Sequence, residues 1–262
     1  MTIYTFDPHL YCQQILLVGC GGTGSQLSRA IARMIYQMKH AGQSTPEVAF
    51  IDPDVVEHKN VGRQLFTYAE ADAGIHKAEA LARRFNFSLG LDIAYYNEAF
   101  SVEKHIERGG NAIVLGAVDN HLARQELSRL KDSTEIDCGN HHNSGQVIIG
   151  NTASMEKVQE HFDYAHKHDR KTISYLPYAT TVYPSLLEPE PETDITLSCA
   201  ELTQQGEQSV LINGFIASIA AEYLRKLLHR EPITTHCTTF TGDVLSMRSM
   251  PIQQQLMVDS FA

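Results

Sequence analysis

The sequence predicts an α/β fold, in which a doubly wound, Rossmann-like and mostly parallel sheet gains antiparallel strands from the C-terminal half of the chain. Three observations predict it. Short apolar runs alternate with segments of helical periodicity between residues 14 and 139, as in proteins with helices on both faces of a parallel sheet. The first run passes into a helix through a glycine-rich turn, GCGGTGS at 19–25. After Gly139 the alternation ends and hairpin patterns follow.

The individual elements follow from the length and periodicity of the apolar runs. Strands are predicted at 14–18, 48–52, 91–97, 112–119 and 134–139, and another at 145–150 that no crossover helix precedes. Helices are predicted at 26–38, 74–87, 101–108, 121–130 and 208–229, the last of them long and apolar. Residues 234–250 predict a hairpin that turns at Gly242-Asp243. We expect the segment 151–195, rich in His, Tyr, Pro and Glu, to be irregular.

Composition and charge exclude several classes of protein. Hydrophobic residues make up 43% and charged residues 20% of the 262 residues, which is typical of a globular chain. The net charge of -10 argues against general binding to nucleic acids or anionic membranes. The 5 cysteines include no C-x-x-C pair, and their odd number fits a reducing compartment. Because there is neither a signal-peptide pattern nor an apolar run of membrane length, we expect a cytoplasmic protein.

The glycine-rich turn has the pattern of a nucleotide-binding loop. Gly19, Gly21 and Gly24 match G-x-G-x-x-G and, with Gly22, lie between a strand and a helix. Glycine lets the backbone approach a phosphate, and the helix start offers free N–H groups and a positive dipole end. Asp52, at the end of the second strand, lies where such folds bind ribose. These features suit NAD and ATP equally, and the loop alone is also compatible with a tight turn that holds no ligand.

The segment IDPDVVEHKNVGRQLF at 51–66 contains more polar residues than a dinucleotide site requires, because Asp54, Asn60, Arg63 and Gln64 all follow Asp52 closely. Together with GCGGTGS, GIHK at 74–77 and AVDNHLAR at 117–124, this ordered set resembles the ThiF/MoeB family, the bacterial relatives of ubiquitin-activating enzymes. The resemblance is strong over residues 12–140 and weak in the last third of the chain.

The resemblance implies an ATP-dependent reaction. In the family, the C-terminal carboxylate of a small ubiquitin-like protein attacks the α-phosphate of ATP, and an acyl-adenylate and pyrophosphate result. Arg63 and Lys77 would then neutralise charge on the triphosphate, and Asp119 would hold Mg²⁺. The chain would be a single adenylation domain, 1–262, with a nucleotide-binding half at 1–140 and a partner-binding and dimerisation half at 141–262.

Three further polar side chains complete the implied site. Asn60 and Gln64 would orient phosphate or ribose oxygens through neutral hydrogen bonds, and Asp54 would share in the metal site or contact the adenosine. Taken singly, each site residue also has a structural interpretation. Either cation can be a solvated surface charge, Asn60 can be a turn residue, and Asp119 can cap the following helix.

Cysteine and histidine residues add two further candidates. Cys199 in TLSCAEL precedes the long predicted helix, and family members have a cysteine in a similar place that bonds to the partner or takes part in sulfur transfer. The alternative for Cys199 is a small buried apolar residue. His161, His166 and His168 are close enough in sequence to bind a metal, although solvated polar side chains are the simpler interpretation.

The chain departs from the family in two respects. It lacks the paired C-x-x-C motifs that bind zinc in many members, and its first arginine is Arg29, whereas many members have an N-terminal arginine that reaches the nucleotide site of the other subunit. With these departures the chain resembles one branch of the family, the ThiF-related protein of mobile-element cassettes. These cassettes also encode a ParB-related protein and are called PRTRC. We expect a homodimer, in which the helix at 208–229 lies either at the interface or in the core.

Two other functions stay open. Without the N-terminal arginine, the chain is also compatible with a non-catalytic ATP-binding adaptor for the same small protein. An NAD-dependent oxidoreductase would account for the glycine loop and Asp52. It would leave four residues without a role: Arg63, Gln64, Lys77 and Asp119.

Overall fold

A computed structural model of the protein describes residues 2–9, 11–107, 111–189 and 211–259. The strands of these residues are β1 (Thr5–Phe6), β2 (Gln14–Val18), β3 (Glu47–Ile51), β4 (Ala94–Tyr96), β5 (Ala112–Gly116), β6 (Thr134–His141), β7 (Ser144–Gly150), β8 (Thr172–Ile173), β9 (Thr235–Thr241) and β10 (Ser246–Pro251). The α-helices are α1 (Gly22–His40), α2 (Tyr68–Asp72), α3 (Lys77–Leu89), α4 (Val102–His105), α5 (His121–Leu127), α6 (Met155–Lys167), α7 (Ala179–Val182), α8 (Ile212–Leu228) and α9 (Gln254–Asp259). Short 3₁₀ helices span His58–Asn60 and Pro184–Leu187.

The main sheet has eight strands in the order β10-β9-β7-β6-β5-β2-β3-β4. From β6 to β4 all neighbouring strands are parallel, whereas β7, β9 and β10 continue the sheet in antiparallel fashion. The short strands β1 and β8 pair separately, in parallel. A mostly parallel sheet with antiparallel additions from the C-terminal half was predicted from the sequence, and the structure confirms it.

Strand β2 lies at the centre of the parallel part and is buried on both faces. Ile15 and Leu17 pack into the cluster formed with α1, α3 and α8. Leu16 and Val18 point to the opposite face and join a second cluster with α5. Because side chains alternate along a strand, this continuous apolar run needs helices on both faces to cover it. Each fully buried Leu or Ile contributes about 1.5–3 kcal/mol relative to an exposed position.

Helix α8 is part of the core. Ile216, Ala220 and Leu224 are fully buried at helical spacing, and the helix packs against α1 and the sheet. The hydroxyl of Tyr223 is hydrogen-bonded to Thr238 Oγ1 at 2.8 Å, which links the helix to β9. Of the two alternatives raised for the helix at 208–229, core packing is therefore the one observed for residues 212–228.

The expectation that residues 151–195 are irregular is wrong for the first part of that segment, because Met155–Lys167 forms helix α6. Val158, Phe162 and Ala165 are buried along one face of the helix. The Ser154 hydroxyl accepts the Lys157 N–H at its start, at 3.2 Å. The helix is hard to recognise because polar and aromatic residues occupy its exposed face and only three of its residues are buried.

Other boundaries agree more closely with the predictions. The hairpin of β9 and β10 turns at 242–245, as expected from Gly242-Asp243. The strand predicted at 112–119 is shorter, since β5 ends at Gly116 and residues 117–120 form a loop before α5. No helix within the described residues is both long enough and apolar enough to cross a membrane.

Candidate functional site

A cleft of about 460 Å³ opens at the carboxyl ends of the central parallel strands. Its volume lies within the range of roughly 300–1,000 Å³ that is usual for ligand sites, and its position is where open α/β sheets bind their ligands. Most of the residues singled out from the sequence line this cleft: Gly19, Gly21, Gly22, Asp52, Asp54, Asn60, Arg63, Gln64, Lys77 and Asp119. Gly24 is buried and does not line the cleft, and Cys199 falls outside the described residues.

The glycine loop connects β2 to α1 and is shaped by close backbone contacts. Gly19 has φ +88°, and a Cβ atom there would lie 2.5 Å from the carbonyl oxygen of Ala117. A Cβ on Gly24 would lie 1.9 Å from the oxygen of Gly19, so that glycine permits the tight packing of loop and helix. Gly21 has nothing within 4 Å of such an atom, and its open side borders the cleft. The first N–H groups of α1, which a helix leaves without intrahelical partners, lie at this wall.

Asp52 ties the glycine loop to the end of β3. Its Oδ2 accepts the Cys20 N–H at 2.6 Å, and its Oδ1 accepts the Asp54 N–H at 2.8 Å. Burial raises the pKa of Asp52, while the charge of Lys77 and the two N–H groups act in the opposite direction. Asp52 is thus a structural support of the loop as well as a polar group of the cleft wall.

Carboxylates keep the Lys77 side chain charged, and a main-chain hydrogen bond fixes the residue beside the cleft. The Lys77 N–H donates to the carbonyl of Asp54 at 2.9 Å, and its Nζ lies 2.7 Å from Asp54 Oδ2. Burial alone would lower the pKa of Lys77, but the hydrogen bond to Asp54 and the charges of Asp52, Asp54 and Asp119 raise it. Lys77 is therefore protonated at neutral pH and has little freedom, since its side chain is only 10% exposed.

The segment that carries Asn60, Arg63 and Gln64 begins with the 3₁₀ turn at His58–Asn60. Asn60 is buried, and its Oδ1 accepts the Glu57 N–H at 2.8 Å. This bond is the structural role that the sequence left open for Asn60, although the residue also lines the cleft. Gln64 is buried as well, and its Oε1 has no hydrogen-bond partner among the described residues.

Arg84 of α3 fixes the same segment from behind. Its Nη2 donates to both carboxylate oxygens of Glu70, at 2.6 and 2.8 Å, and its Nη1 donates to the carbonyl of Leu65. The Leu65 N–H in turn donates to Ser25 Oγ of α1 at 3.3 Å. The loop that contains Arg63 is thus attached to two helices. Such attachment keeps a charged side chain in place, which electrostatic stabilisation of a reaction requires.

Asp119 lies in the loop between β5 and α5 with its side chain exposed at the cleft. The suggestion that it caps the following helix is wrong, because Asn120 is the N-cap and its Oδ1 accepts the Ala123 N–H at 2.9 Å. Arg124 supports the loop by donating to the carbonyl of Val118 at 3.2 Å. The carboxylate of Asp119 therefore remains available to a ligand.

Three polar residues that the sequence analysis missed form the β6 side of the cleft. Thr23 Oγ1 donates to Asn213 Oδ1 at 3.1 Å. Asn140 Nδ2 donates to Thr23 Oγ1 at 3.0 Å and also to Asn213 Oδ1. Asn213 lies on α8, and no local pattern relates it to a glycine loop 190 residues earlier. The sequence analysis also missed three other residues of the cleft wall: Lys59, Phe100 and Leu122. Of these, Lys59 lies within the segment 51–66 discussed above.

A pair of acidic residues is buried in β6 beneath this loop. Glu135 and Asp137 are each 1% exposed. Asp137 Oδ2 accepts a hydrogen bond from Arg124 Nη1 at 2.6 Å, whereas neither carboxyl oxygen of Glu135 has a partner among the described residues. Burial raises the pKa of both carboxyl groups, and the charge of Asp137 adds to the effect on Glu135.

The histidines suggested as metal ligands do not form a metal site. His161 accepts the Ser174 N–H at 3.4 Å and packs edge-on against Tyr175. The described part of the chain contains no group of three or more His, Cys, Asp or Glu side chains that could hold a metal ion.

Comparisons with known proteins agree with this fold. A family model described as the ThiF family matches residues 8–257. Escherichia coli MccB, in a structure with ATP, has a TM-score of 0.58 and 15% identity, over 92% of this chain and 64% of MccB. A structure of MccB with AMPCPP and MccA gives a TM-score of 0.56 at 15% identity, over 91% of this chain and 63% of MccB. PaaA gives a TM-score of 0.56 at 15% identity, over 92% of this chain and 73% of PaaA. The chain thus spans less than two thirds of the length of MccB, and no curated protein sequence matches it.

Proposed function

Because the chain belongs to the ThiF family, we propose that it is an adenylyltransferase that uses ATP to activate the C-terminal carboxylate of a small ubiquitin-like protein. The observation that carries this proposal is the arrangement of the cleft. Two cations, Arg63 and Lys77, line the same cleft as the glycine loop and the exposed carboxylate of Asp119. A hydride-transfer enzyme has no leaving pyrophosphate and does not need this set.

The lining of the cleft supports ATP as the ligand, because it offers groups suited to the phosphates, the purine and the ribose. The open side of Gly21 and the first N–H groups of α1 would receive the phosphates. Phe100, Val118 and Leu122 supply an apolar part of the wall against which a purine can stack. Gln64 Oε1, buried without a partner among the described residues, is an acceptor that a ribose hydroxyl would satisfy.

Mg²⁺ would be held by Asp119, with Asp54 as a second candidate. Both present carboxylate oxygens to the cleft, which are the hard donors that Mg²⁺ prefers. When bound, the ion would neutralise charge on the phosphates. The acidic side chains themselves would also keep Lys77 protonated, as described above.

The reaction proposed for this site is a displacement at the α-phosphorus. A carboxylate oxygen of the partner forms a bond to phosphorus, and the bond from phosphorus to the bridging oxygen of the pyrophosphate breaks. The leaving pyrophosphate takes the electron pair, and no proton needs to be transferred. Arg63 and Lys77 would stabilise the charge that develops on the leaving group. Arg84 of α3 fixes the loop of Arg63 through the carbonyl of Leu65, and Asp54 fixes the Lys77 ammonium, so this stabilisation would be preorganised.

Several finer points belong to the same proposal. The protein would be a cytoplasmic homodimer. Cys199 would attack the acyl carbon of the adenylate as a thiolate, so that the bond to the phosphate oxygen breaks, AMP leaves and a thioester forms; a part in sulfur transfer is the alternative role for this cysteine. The MccB structures with ATP, and with AMPCPP and MccA, support ATP as the nucleotide through the shared fold. We would look for the partner among the small ubiquitin-like proteins that are encoded together with the mobile-element (PRTRC) branch of the family.

Calorimetric titration with ATP and Mg²⁺ tests the nucleotide, with NAD as the competing ligand. Arg63→Ala should weaken ATP binding by about 10- to 100-fold, which corresponds to roughly 1.5–3 kcal/mol for a charged hydrogen bond. Arg33→Ala is a matched control, because Arg33 is exposed on α1 and does not line this cleft. Binding of NAD without binding of ATP would refute the proposal and favour an oxidoreductase.

ATP–pyrophosphate exchange tests the substrate. Small ubiquitin-like proteins with a free C-terminal carboxylate should support exchange, and the same proteins carrying a C-terminal amide should not. Binding of ATP without exchange in the presence of the cognate small protein would instead support the non-catalytic adaptor.

A further inference from the structure

The cleft has two chemically different sides, which flank the glycine loop on β2. Arg63, Lys77 and Asp54 belong to the side of β3 and carry formal charges. The side of β6 is formed by Thr23, Asn140 and Asn213, which carry none. We infer that these three residues, named here the amide cluster, orient the carboxylate of the acyl substrate. This inference rests on the proposed function and adds to it the subsite for the nucleophile.

The amide cluster fixes the orientation of one donor. Asn213 Oδ1 accepts hydrogen bonds from both Thr23 and Asn140, so the carboxamide of Asn213 is held by its oxygen. Its Nδ2 therefore points away from those partners and lies beside Gly22, where an added Cβ atom would be only 2.5 Å away. Among the hydrogen bonds of the described residues, Asn213 Nδ2 donates none. The amide N–H groups are thus left for a ligand next to the glycine loop.

The position of the amide cluster matches the stereochemistry of the reaction. In displacement at phosphorus, the entering and leaving oxygens lie roughly in line on opposite sides of the phosphorus atom. If the pyrophosphate leaves towards Arg63 and Lys77, the carboxylate must enter from the opposite direction. In the sheet order β6-β5-β2-β3, Asn140 lies near the C-terminal end of β6 and the two cations follow β3 along the chain. The glycine loop follows β2 and therefore lies between Asn140 and the cations.

The neutral character of the amide cluster also suits a nucleophile. A lysine or arginine would hold the entering carboxylate in a strong charge-assisted bond that has to weaken as the oxygen attacks. Neutral amide donors orient the oxygen with bonds of about half that strength. Thr23 and Asn140 then act as positioning residues for Asn213, which is the group that would contact the substrate.

Binding of two probes tests the inference. AMP carries the adenylate alone, and 5′-O-(N-glycylsulfamoyl)adenosine is a stable mimic of a glycyl-adenylate that adds an acyl carbonyl. The wild-type protein should bind the acyl mimic more tightly than AMP. Asn213→Ala should reduce this preference, measured as the ratio of the two dissociation constants within the same variant, by about three- to tenfold, as expected for one neutral hydrogen bond.

Asn140→Ala is the second variant, because Asn140 is only half-buried and its truncation is less disruptive if Asn213→Ala does not fold. It should lower the preference for the acyl mimic in the same way. Arg63→Ala should give the converse pattern: ATP binds more weakly, and the ratio of the dissociation constants of AMP and the acyl mimic stays unchanged. An equal affinity for the two probes, or a ratio unchanged in the folded asparagine variants, would overturn the inference while leaving ATP binding intact. If the wild-type protein does not bind ATP, the proposed function is overturned as well.

Discussion

Replacing Glu135 with glutamine is expected to stabilise the protein at neutral pH. Glu135 is 1% exposed and faces Asp137, Arg124 and Tyr178. Burial holds its pKa well above the ordinary value of 4.5, and Asp137 raises it further. Between pH 4.5 and the folded pKa, the unfolded chain has released this proton and the folded protein has not, so the free energy of unfolding falls as the pH rises across this interval.

The pH interval sets the upper limit of the effect. Between pH 4.5 and pH 7 the proton costs about 1.36 kcal/mol for each pH unit, which gives an upper limit of about 3.4 kcal/mol at pH 7. Glutamine has nearly the same shape and does not ionise, but its amide also needs partners and loses about 1 kcal/mol if it finds none. We therefore expect Glu135→Gln to gain about 1–3 kcal/mol at pH 7 and to gain nothing at pH 4.5.

Urea unfolding at pH 4.5, 6, 7 and 8, followed by circular dichroism, measures this gain as a difference from the wild type. Glu160→Gln is the control, because Glu160 is exposed on α6 and should behave like the wild type throughout. A Glu135→Gln variant whose stability relative to the wild type is the same at every pH, or falls with rising pH, would refute the assignment of a protonated Glu135.

Four other predictions concern packing and the cleft. Gly24→Ala should destabilise the fold by about 1–3 kcal/mol or more in urea unfolding, since its Cβ would lie 1.9 Å from the Gly19 oxygen. Gly21→Ala, by contrast, should keep the melting temperature and weaken ATP binding, because its Cβ would enter open space at the cleft wall; a lowered melting temperature with unchanged ATP affinity would contradict this. Arg84→Met should weaken ATP binding about tenfold in calorimetry by releasing the loop that carries Arg63, and unchanged affinity would show that the loop holds itself. Phe162→Ala should cost about 3–5 kcal/mol in urea unfolding, because this ring is fully buried and packs edge-on against Tyr4 at 5.1 Å between centroids.

The parallel half of the fold could be predicted because its signals are local. The run QILLV at 14–18 is apolar throughout, and β2 is indeed buried on both faces. The glycine spacing places a tight turn directly after it, since only glycine tolerates the contact between positions 19 and 24. Helix α6 was missed because its apolar face is narrow, with Val158, Phe162 and Ala165 surrounded by polar residues.

The parts of the cleft that escaped prediction depend on contacts between distant segments. The acids of the run TEIDCG at 134–139 look like exposed positions of a strand, and only the placement of Arg124 from α5 shows that Asp137 is a buried partner. The capping role of Asn120 in place of Asp119 depends on a shift of one residue at a helix start, which sequence patterns rarely determine. The family motif indicated Arg63, Lys77 and Asp119. The hydrogen bond of Arg84 to the loop that carries Arg63, and that of Lys77 to Asp54, are visible only in three dimensions.

The hydrogen bond between Thr23 and Asn213 also has a consequence for synthesis of the protein. These residues are 190 positions apart, and at about 5–20 residues per second a ribosome needs roughly 10–40 s to make the chain between them. During this time the growing chain carries the glycine loop but not the helix that closes the floor of the cleft. Nucleotide can therefore stabilise the full site only near the end of translation, and a truncated nascent chain gains less from the ligand than the finished protein does.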